Sequence, residues 1–289
     1  MKTLVLGCKG QLGQALAAAV PDGVALAEFD RSELDISDAA AVLAVVRVSK
    51  PEVIINAAAY TAVDKAESEI DLAEATNIDG PRNLAIAASE VDARLIHIST
   101  DFVFEGNAST PYKPDAPTKP QNVYGRTKRE GELAVLEAMP NTATVVRTAW
   151  LYSRAGGNFV KTMLRLMQER NGLSVVADQV GTPTWAQSLA TVVWALAGET
   201  GSSGIFHWSD GGTASWHEFA VAIQQESLSL KLLDRAIPIH AIATEDYPTA
   251  AVRPRYSVLD CSTTKDLLNV NPVEWRVNLH QMLKGFSTA

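Results

Sequence analysis

The sequence predicts an α/β protein with a Rossmann-like, doubly wound parallel sheet and a smaller, mixed C-terminal substrate-binding part. Five short β-rich runs alternate with helical stretches between residues 2 and 147, as in a parallel sheet with right-handed crossovers. The first run ends in a glycine-rich turn that opens a helix. After residue 152 the alternation stops. We therefore expect a dinucleotide-binding domain over residues 1–152, completed by segments near 184–210, and a mainly substrate-binding part over 153–289.

Composition and charge exclude several classes of protein. The chain has 289 residues, 47% of them hydrophobic, which suffices for a large core. No apolar run is long enough to cross a membrane, and residues 1–7 are too short for a signal peptide. A net charge of −8 argues against nucleic acid or an anionic membrane as the main partner. Two distant cysteines and five histidines without ligand spacing predict no metal site, and the expected compartment is the reducing cytoplasm.

The first predicted strand, Lys2–Leu6, runs into glycines spaced G-x-x-G-x-x-G. Glycines at these positions allow a tight turn and let a pyrophosphate approach the N-terminus of the following helix. The alternative is an ordinary turn between a strand and a helix, but the flanking elements favour dinucleotide binding. The cofactor contacts expected from this turn are Gly7, Gly10, Gln11, Leu12 and Gly13.

The second predicted strand, Val24–Phe29, is followed by Asp30 and Arg31. An acidic residue here would hold the adenosine ribose hydroxyls of NADH, whereas an adjacent arginine would take the 2′-phosphate of NADPH. Both residues are present, so the sequence leaves the choice of cofactor open. Asp35 and Ile36 either border the adenine or belong to the loop and cap before a helix that starts at residue 39.

The third predicted strand, Pro51–Ile55, leads into small residues that let the backbone approach a ligand at the carboxyl end of the sheet. The alternative role for the alanines is tight core packing. The cofactor contacts expected here are Ala57, Ala58, Ala59 and Tyr60. A helical stretch over about residues 71–90 follows, which Gly80 and Pro81 are expected to kink or split. Asn77 lies inside it and needs a hydrogen-bond partner if it is buried.

The fourth predicted strand, Ala93–Ile98, continues into Thr100, and we expect His97 to pack within the strand. A long loop then leads to Tyr124 and Lys128 at the start of the next helix. Positions i and i+4 share a helix face, so the ammonium would lower the pKa of the phenol and make it a usable general acid or base. The same spacing also occurs by chance on many helices.

The fifth predicted strand, Thr142–Arg147, precedes Trp150, which we place in a pocket because it follows a strand end. The other tryptophans are assigned mainly to the core. Further helices are predicted over about 158–170, 187–197, 215–225 and 278–286, and strands over 173–176 and 204–208. Ser215 and Glu218 have the spacing of a capping box.

Together these motifs resemble the extended short-chain dehydrogenase/reductases, and their finer pattern is similar to the dTDP-4-dehydrorhamnose reductase family. The resemblance runs from Lys2 to about Lys284. It rests on the segments CKGQLGQ, ELDISD, INAAAYTAVDKAE, HISTDFVFEG, NVYGRTKREGE, VVRTAWLY, DQVGTPT and RPRYSVLD. Leu6 before the first glycine and Thr182 in the TPT segment depart from the usual family pattern, and both departures are minor.

The resemblance implies reduction, by NADPH or NADH, of the 4-keto group of dTDP-4-dehydro-6-deoxy-L-mannose to give dTDP-L-rhamnose. Tyr124 would supply the proton, Lys128 would lower the pKa of Tyr124 and bond the nicotinamide ribose, and Thr100 would donate to the keto oxygen. The implied substrate contacts are Val63, Thr100, Asp101, Phe102, Phe104, Trp150, Asn158, Arg253 and Arg255. The two arginines suit a diphosphate, although surface ion pairs are the alternative. The resemblance also allows a homodimer with Mg²⁺ at its interface, whose ligands the sequence does not locate.

Three other functions remain open from the sequence. The chain could be another nucleotide-sugar reductase or epimerase of the same superfamily. It could be a non-catalytic, NADP-binding regulatory subunit of the methionine adenosyltransferase type, which the intact set of Tyr124, Lys128 and Thr100 argues against. It could also reduce an unrelated, flavonoid-like ketone, which the two arginines near residue 254 argue against.

Overall fold

The computed structural model describes residues 1–287. The strands of the first half are Lys2–Leu6 (β1), Ala25–Phe29 (β2), Val53–Asn56 (β3), Arg94–Thr100 (β4) and Ala143–Thr148 (β5). Its helices are Gln11–Ala18 (α1), Ala39–Ser49 (α2), Val63–Ala66 (α3), Ile70–Glu74 (α4), Gly80–Glu90 (α5) and Val123–Ala138 (α6).

The second half mixes short strands with helices. Its strands are Leu151–Tyr152 (β6), Leu173–Val176 (β7), Val180–Gly181 (β8), Thr184–Trp185 (β9), Gly204–His207 (β10), Ala214–Ser215 (β11) and Ile239–Ile242 (β12). Its helices are Phe159–Glu169 (α7), Ala186–Gly198 (α8), Trp216–Ser229 (α9), Ser262–Leu268 (α10) and Trp275–Ser287 (α11). Within residues 1–287 no helix combines the length and apolar character needed to cross a bilayer.

A six-stranded parallel sheet with the order β10-β5-β4-β3-β1-β2 forms the centre of the molecule. This confirms the predicted fold class. The chain passes from β1 outward to β2 and then returns to β3 on the other side of β1, so the strand order reverses there. Doubly wound folds bind ligands in the crevice at such a reversal. Strand β10 and the preceding helix α8 come from the second half of the chain and complete the sheet at its other edge.

Hydrophobic side chains cover both faces of the sheet. Along β1, Leu4 and Leu6 pack with α2, α5 and α6, whereas Val5 points to the opposite face and packs with α1 and α8. A third core, which includes Phe219 and Trp275, lies in the C-terminal part between α7, α9 and α11. The apolar side chains of α1 and α8 thus cover the face of the sheet opposite to α2, α5 and α6.

The helical stretch predicted over 71–90 runs from Ile70 to Glu90, and it is interrupted by a π-helical turn over Ala75–Asp79 rather than at Gly80 and Pro81 as expected. Pro81 lies at the start of α5, where its missing N–H is tolerated. The last helix begins at Trp275, three residues earlier than predicted. The Trp275 side chain is buried, and its backbone N–H donates to the carbonyl of Gly211 at 3.0 Å. The capping box at Ser215 and Glu218 is present.

Helix α6 is attached to the sheet by a buried ion pair that the sequence patterns did not indicate. Arg147 on β5 binds both carboxylate oxygens of Glu132, with Nε–Oε1 and Nη2–Oε2 distances of 2.8 Å. Both side chains are at most 1% exposed. Ser99 on β4 donates to Oε1 at 2.6 Å, and Arg129 donates to Oε2 at 2.8 Å. A buried pair of this kind is well satisfied, but the loss of one partner leaves an uncompensated charge in the core.

Replacement of Arg147 by Met should therefore lower the free energy of unfolding by about 3–5 kcal/mol, measured by urea denaturation. The exposed pair of Arg165 and Glu169 provides the matched control, and Arg165→Met should change the unfolding midpoint little. The double variant Glu132→Gln with Arg147→Met should recover part of the loss, because the buried charge is then absent. An Arg147→Met protein as stable as the control variant would contradict the assignment.

Candidate active site

Two adjoining cavities lie at the carboxyl ends of the sheet strands. The first has a volume of about 650 Å³ and the second about 370 Å³, and of these two we call the first the larger cavity and the second the smaller cavity. They share Gly10, Ala57, Ala59 and Thr61. A third cavity of about 1100 Å³ adjoins the first through Gln179, Trp216 and Arg253 and is lined mainly by the C-terminal part. Because neighbouring cavities share lining residues, the three lie in a row from the first glycine turn into the C-terminal part, and we call this row the groove.

The glycine turn after β1 is shaped for close backbone approach. Gly7 has a φ of +82°, and a Cβ there would lie 2.7 Å from the backbone nitrogen of Ala58. A Cβ on Gly13 would lie 2.3 Å from the carbonyl oxygen of Gly7. No side chain caps the N-terminus of α1 at Gly10, so the first N–H groups of this helix are available to an anion. The turn fits the pyrophosphate of a dinucleotide, and Gln11 and Leu12 line the larger cavity beside it.

The smaller cavity contains the residues expected around the adenosine end. Its lining includes the expected Asp30, Arg31, Asp35 and Ile36. It also includes Lys9, which the sequence reasoning missed. The Lys9 ammonium contacts the Asp30 carboxylate, which also accepts hydrogen bonds from Ser32, and these contacts hold the pKa of Asp30 well below its usual range. Arg31 is exposed and pairs loosely with Asp35 at 3.5 Å. Asp30 is thus already paired, and two cations flank the cavity.

The loop after β3 is tied to the helix that carries Tyr124. Asn77 is fully buried; its Oδ1 accepts from the Tyr60 N–H at 2.9 Å, and its Nδ2 donates to the Tyr60 carbonyl and to Thr127 Oγ1, both at 3.1 Å. The π-helical turn directs this amide across the gap, and π-turns often occur at functional sites. The expected partner for Asn77 is therefore found, and it joins the loop over residues 57–60 to α6.

Tyr124 and Lys128 share one face of α6, whose N-cap is Asn122, and both line the larger cavity. Burial of the phenol raises the pKa of Tyr124 to about 12, and the nearby Asp101 charge adds to the shift although Thr100 opposes it. Burial also lowers the pKa of Lys128 to about 8. Its Nζ donates to the carbonyl of Ile98 at 2.7 Å. The expectation that Lys128 lowers the pKa of Tyr124 is therefore wrong: burial raises this pKa, and the lysine is turned toward β4.

Thr100 and Asp101 end β4 at the same cavity. The Thr100 hydroxyl donates to Asp101 Oδ1 at 3.0 Å and accepts from the Phe102 N–H at 3.2 Å. Asp101 is 2% exposed, and burial raises its pKa to about 6, with Ser257 and Thr100 opposing the shift. Its Oδ2 has no hydrogen-bond partner within residues 1–287. The ionised carboxylate thus competes with a ligand for the hydrogen bond that Thr100 can donate.

The structure brings most of the expected substrate contacts to the larger cavity. Its lining includes Val63, Thr100, Asp101, Phe102, Trp150, Asn158 and Arg253. Trp150 has a φ of +44° and stacks on Trp216 with ring centroids 3.5 Å apart. Trp216 and Gln179 also line this cavity, and sequence reasoning missed both. Nothing in the sequence around Trp216 distinguishes it from the tryptophans of the core.

Phe104 and Arg255 do not reach this cavity. The Phe104 ring is 1% exposed and stacks on Tyr112, with Arg147 over its face, so it belongs to the core beneath the site. Arg255 is exposed and faces Glu245 at 3.4 Å. Arg253 does line the cavity, but Asp64 binds its guanidinium at 2.7 and 3.1 Å. The surface ion pair, given above as the alternative for these arginines, is therefore what the structure has.

Metal-binding side chains do not cluster in the described part of the chain. Across residues 1–287 no group of three or more His, Cys, Asp or Glu residues is arranged to hold a metal ion.

Comparison with known proteins places the chain in a family. The family model for the RmlD substrate binding domain matches residues 1–288. The chain is 41% identical over 282 residues to a dTDP-4-dehydrorhamnose reductase from Aggregatibacter actinomycetemcomitans, covering 95% of this chain and 96% of the relative. It is also 41% identical over 263 residues to a dTDP-4-keto-6-deoxy-D-glucose reductase from Streptomyces niveus, covering 89% and 87%.

A solved structure agrees with these relatives. The dTDP-4-dehydrorhamnose reductase from Bacillus anthracis, in complex with NADP, superimposes with a TM-score of 0.91 at 37% identity, covering 97% of this chain and 98% of that chain. The match of the family model to nearly every residue, together with relatives similar along their whole length, shows that the chain belongs to the RmlD family of dTDP-4-dehydrorhamnose reductases.

Proposed function

We propose that this chain uses NADPH or NADH to reduce the 4-keto group of dTDP-4-dehydro-6-deoxy-L-mannose, giving dTDP-L-rhamnose. The observation that carries the proposal is the convergence of Tyr124, Lys128 and Thr100 on one cavity beside a glycine turn that fits a dinucleotide. Family membership and the reductase names of the relatives support the substrate class.

The bound cofactor would supply the hydride to the keto carbon. Tyr124 donates its proton to the keto oxygen as negative charge develops there. A pKa of about 12 means that the phenol keeps its proton at neutral pH until that charge appears. Thr100 donates a hydrogen bond to the same oxygen. Lys128, whose lowered pKa of about 8 still leaves it mostly an ammonium at neutral pH, provides positive charge beside Tyr124 after the phenol has lost its proton.

NADPH is favoured over NADH by the charges at the adenosine end. Lys9 and Arg31 flank the smaller cavity, whereas the Asp30 carboxylate is bound by Lys9 and Ser32 and is less free to accept from ribose hydroxyls. Cations beside a ribose suit the 2′-phosphate. The Bacillus anthracis relative was solved in complex with NADP, which supports the same choice.

A second candidate function is reduction of a different dTDP-4-keto-6-deoxy sugar. The Streptomyces niveus relative is named for such a substrate and has the same 41% identity as the Aggregatibacter relative, over a shorter aligned length. The same residues would carry proton delivery, so the two candidates differ only in the sugar. Initial rates with both keto sugars separate them, and the better substrate is the one with the higher kcat/KM.

Replacement of Tyr124 by Phe should lower kcat for the keto sugar by about a hundredfold or more, because the proton donor is absent. The measurement is the loss of reduced nicotinamide absorbance with authentic substrate. Tyr152→Phe is the control, since Tyr152 lies in the third core and its hydroxyl has no hydrogen-bond partner within the described residues. A wild-type protein that leaves the keto sugar unreduced with both cofactors would overturn the proposed function.

The rate of reduction should rise as the pH falls through about 6, the pKa of Asp101. Burial raises this pKa, so the carboxyl is neutral below pH 6 and no longer takes the Thr100 proton or repels the charge on the keto oxygen. Single-turnover rates between pH 5 and 8 measure this effect. Asp101→Asn, which is neutral at every pH, should remove the rise. A wild-type rate that stays constant or falls below pH 6 would count against it.

Lys9→Ala and Arg31→Ala should each raise KM for NADPH by about tenfold, because a charge-assisted hydrogen bond to phosphate contributes about 1.5–3 kcal/mol. KM for NADH should change much less, since NADH lacks the 2′-phosphate. Lys265→Ala, on the surface of α10, removes the same charge elsewhere and serves as control. Equal losses for both cofactors would argue against this role for the two cations.

A further inference from the structure

A buried row of polar groups leads from the cofactor loop to Lys128. The Ala58 N–H donates to Asn56 Oδ1 at 3.1 Å, and Asn56 Nδ2 lies 3.1 Å from His97 Nδ1. His97 Nε2 in turn lies 3.4 Å from Lys128 Nζ. Asn56 and His97 are 0% exposed and Lys128 is 2% exposed.

The backbone of Ala58 sets the polarity of this row, that is, which group donates and which accepts in each contact. Because the Ala58 N–H binds Asn56 Oδ1, the amide of Asn56 must turn its NH₂ group toward His97. His97 Nδ1 therefore accepts a hydrogen bond and carries no proton. A neutral imidazole has one N–H, so the proton of His97 lies on Nε2 and points at Lys128. Burial and the adjacent Lys128 both lower the pKa of His97, which keeps the ring neutral.

This polarity acts on the charge of Lys128. An ammonium group has three donors and no acceptor, so an N–H of His97 facing it opposes a donor with a donor. The neutral amine has a lone pair that can accept from His97 Nε2, while one of its N–H groups still donates to the Ile98 carbonyl.

The other ionisable groups near Lys128 do not reverse this preference. Glu132, one turn further along α6, favours the ammonium, but its own charge is balanced by Arg147 and Arg129. Asp101 lies on the same cavity, but its carboxylate accepts from Thr100 and acts on Tyr124. Tyr124, the remaining neighbour on α6, keeps its proton at neutral pH.

We propose that Asn56 and His97 are positioning residues that favour the neutral amine of Lys128 by holding a histidine N–H against it. The inference rests on the proposed function only for its effect on rate; the protonation of Lys128 can be measured without substrate. In this arrangement the backbone of the cofactor loop, through one amide and one imidazole, controls the charge beside the proton donor Tyr124.

Asn56→Asp keeps the shape and reverses the polarity of the row, and the added charge acts in the same direction, so the tautomer of His97 and the His97 variants below separate the two effects. One aspartate oxygen still accepts from the Ala58 N–H, and the other now accepts from His97, so the ring proton moves to Nδ1. His97 Nε2 then offers a lone pair to Lys128 and stabilises the ammonium. NMR titration of ¹³C-labelled lysines, with Lys128 assigned by its absence in Lys128→Met, should show the Lys128 midpoint raised by about one pH unit or more.

The histidine itself gives a direct second readout. Two-bond ¹H–¹⁵N correlations should show the Nε2–H tautomer of His97 in the wild type and the Nδ1–H tautomer in Asn56→Asp. The surface substitution Asn171→Asp adds the same charge far from the site and should change neither signal. In rate measurements, the alkaline limb of the reduction should move upward in pH by the same amount as the Lys128 midpoint.

Substitutions of His97 keep the inference testable if Asn56→Asp does not fold. In His97→Gln the amide can accept from Asn56 and donate to Lys128, so the Lys128 midpoint should stay near the wild-type value. In His97→Leu the donor is lost and the midpoint should rise. An Nδ1–H tautomer in the wild type, or a Lys128 midpoint unchanged in both Asn56→Asp and His97→Leu, would overturn the proposal even if the protein is an active reductase.

Discussion

The ion pair between Glu132 and Arg147 fixes the geometry on which the site depends. Glu132 lies one turn after Lys128 and two turns after Tyr124, so it shares their helix face. It binds Arg147 on β5 and Ser99 on β4, the residue just before Thr100. One buried carboxylate therefore aligns the helix that carries the proton donor with the strand that carries the second hydrogen-bond donor. An error of an ångström in that alignment is enough to lower a rate strongly.

Burial shifts the pKa of each ionisable group of the site toward its neutral form. It raises the pKa of Tyr124 to about 12 and of Asp101 to about 6, and it lowers the pKa of Lys128 to about 8. Each shift has the same cause, since a group removed from water loses the hydration that stabilises its charge. The site can thus respond strongly to charge that appears during a reaction, because buried groups are screened less by water.

The two parts of the chain meet at side chains rather than at a flexible linker. Gln11, in the glycine turn, accepts from Asn158 at the N-cap of α7 and from Ser153. On the other side of the groove, Asp64 on α3 binds Arg253 and the Ala251 N–H. Ligands at the glycine turn and in the C-terminal cavity therefore contact elements that are already joined. Arg253 would have to exchange Asp64 for a phosphate if it binds the substrate as the family resemblance implies.

The sequence by itself determined the fold class, the glycine turn and the helix that carries Tyr124 and Lys128. These features are local, since strand and helix periodicity, turn glycines and i, i+4 spacing are visible within short windows. Only the tertiary structure decided that Trp216 lines the cavity, that Phe104 is core and that Asp64 pairs with Arg253. It also decided the charge state of the site, because Lys128 faces His97 and Ile98 instead of acting on Tyr124 alone. Burial and contacts between distant strands set these properties, and no short window of sequence contains them.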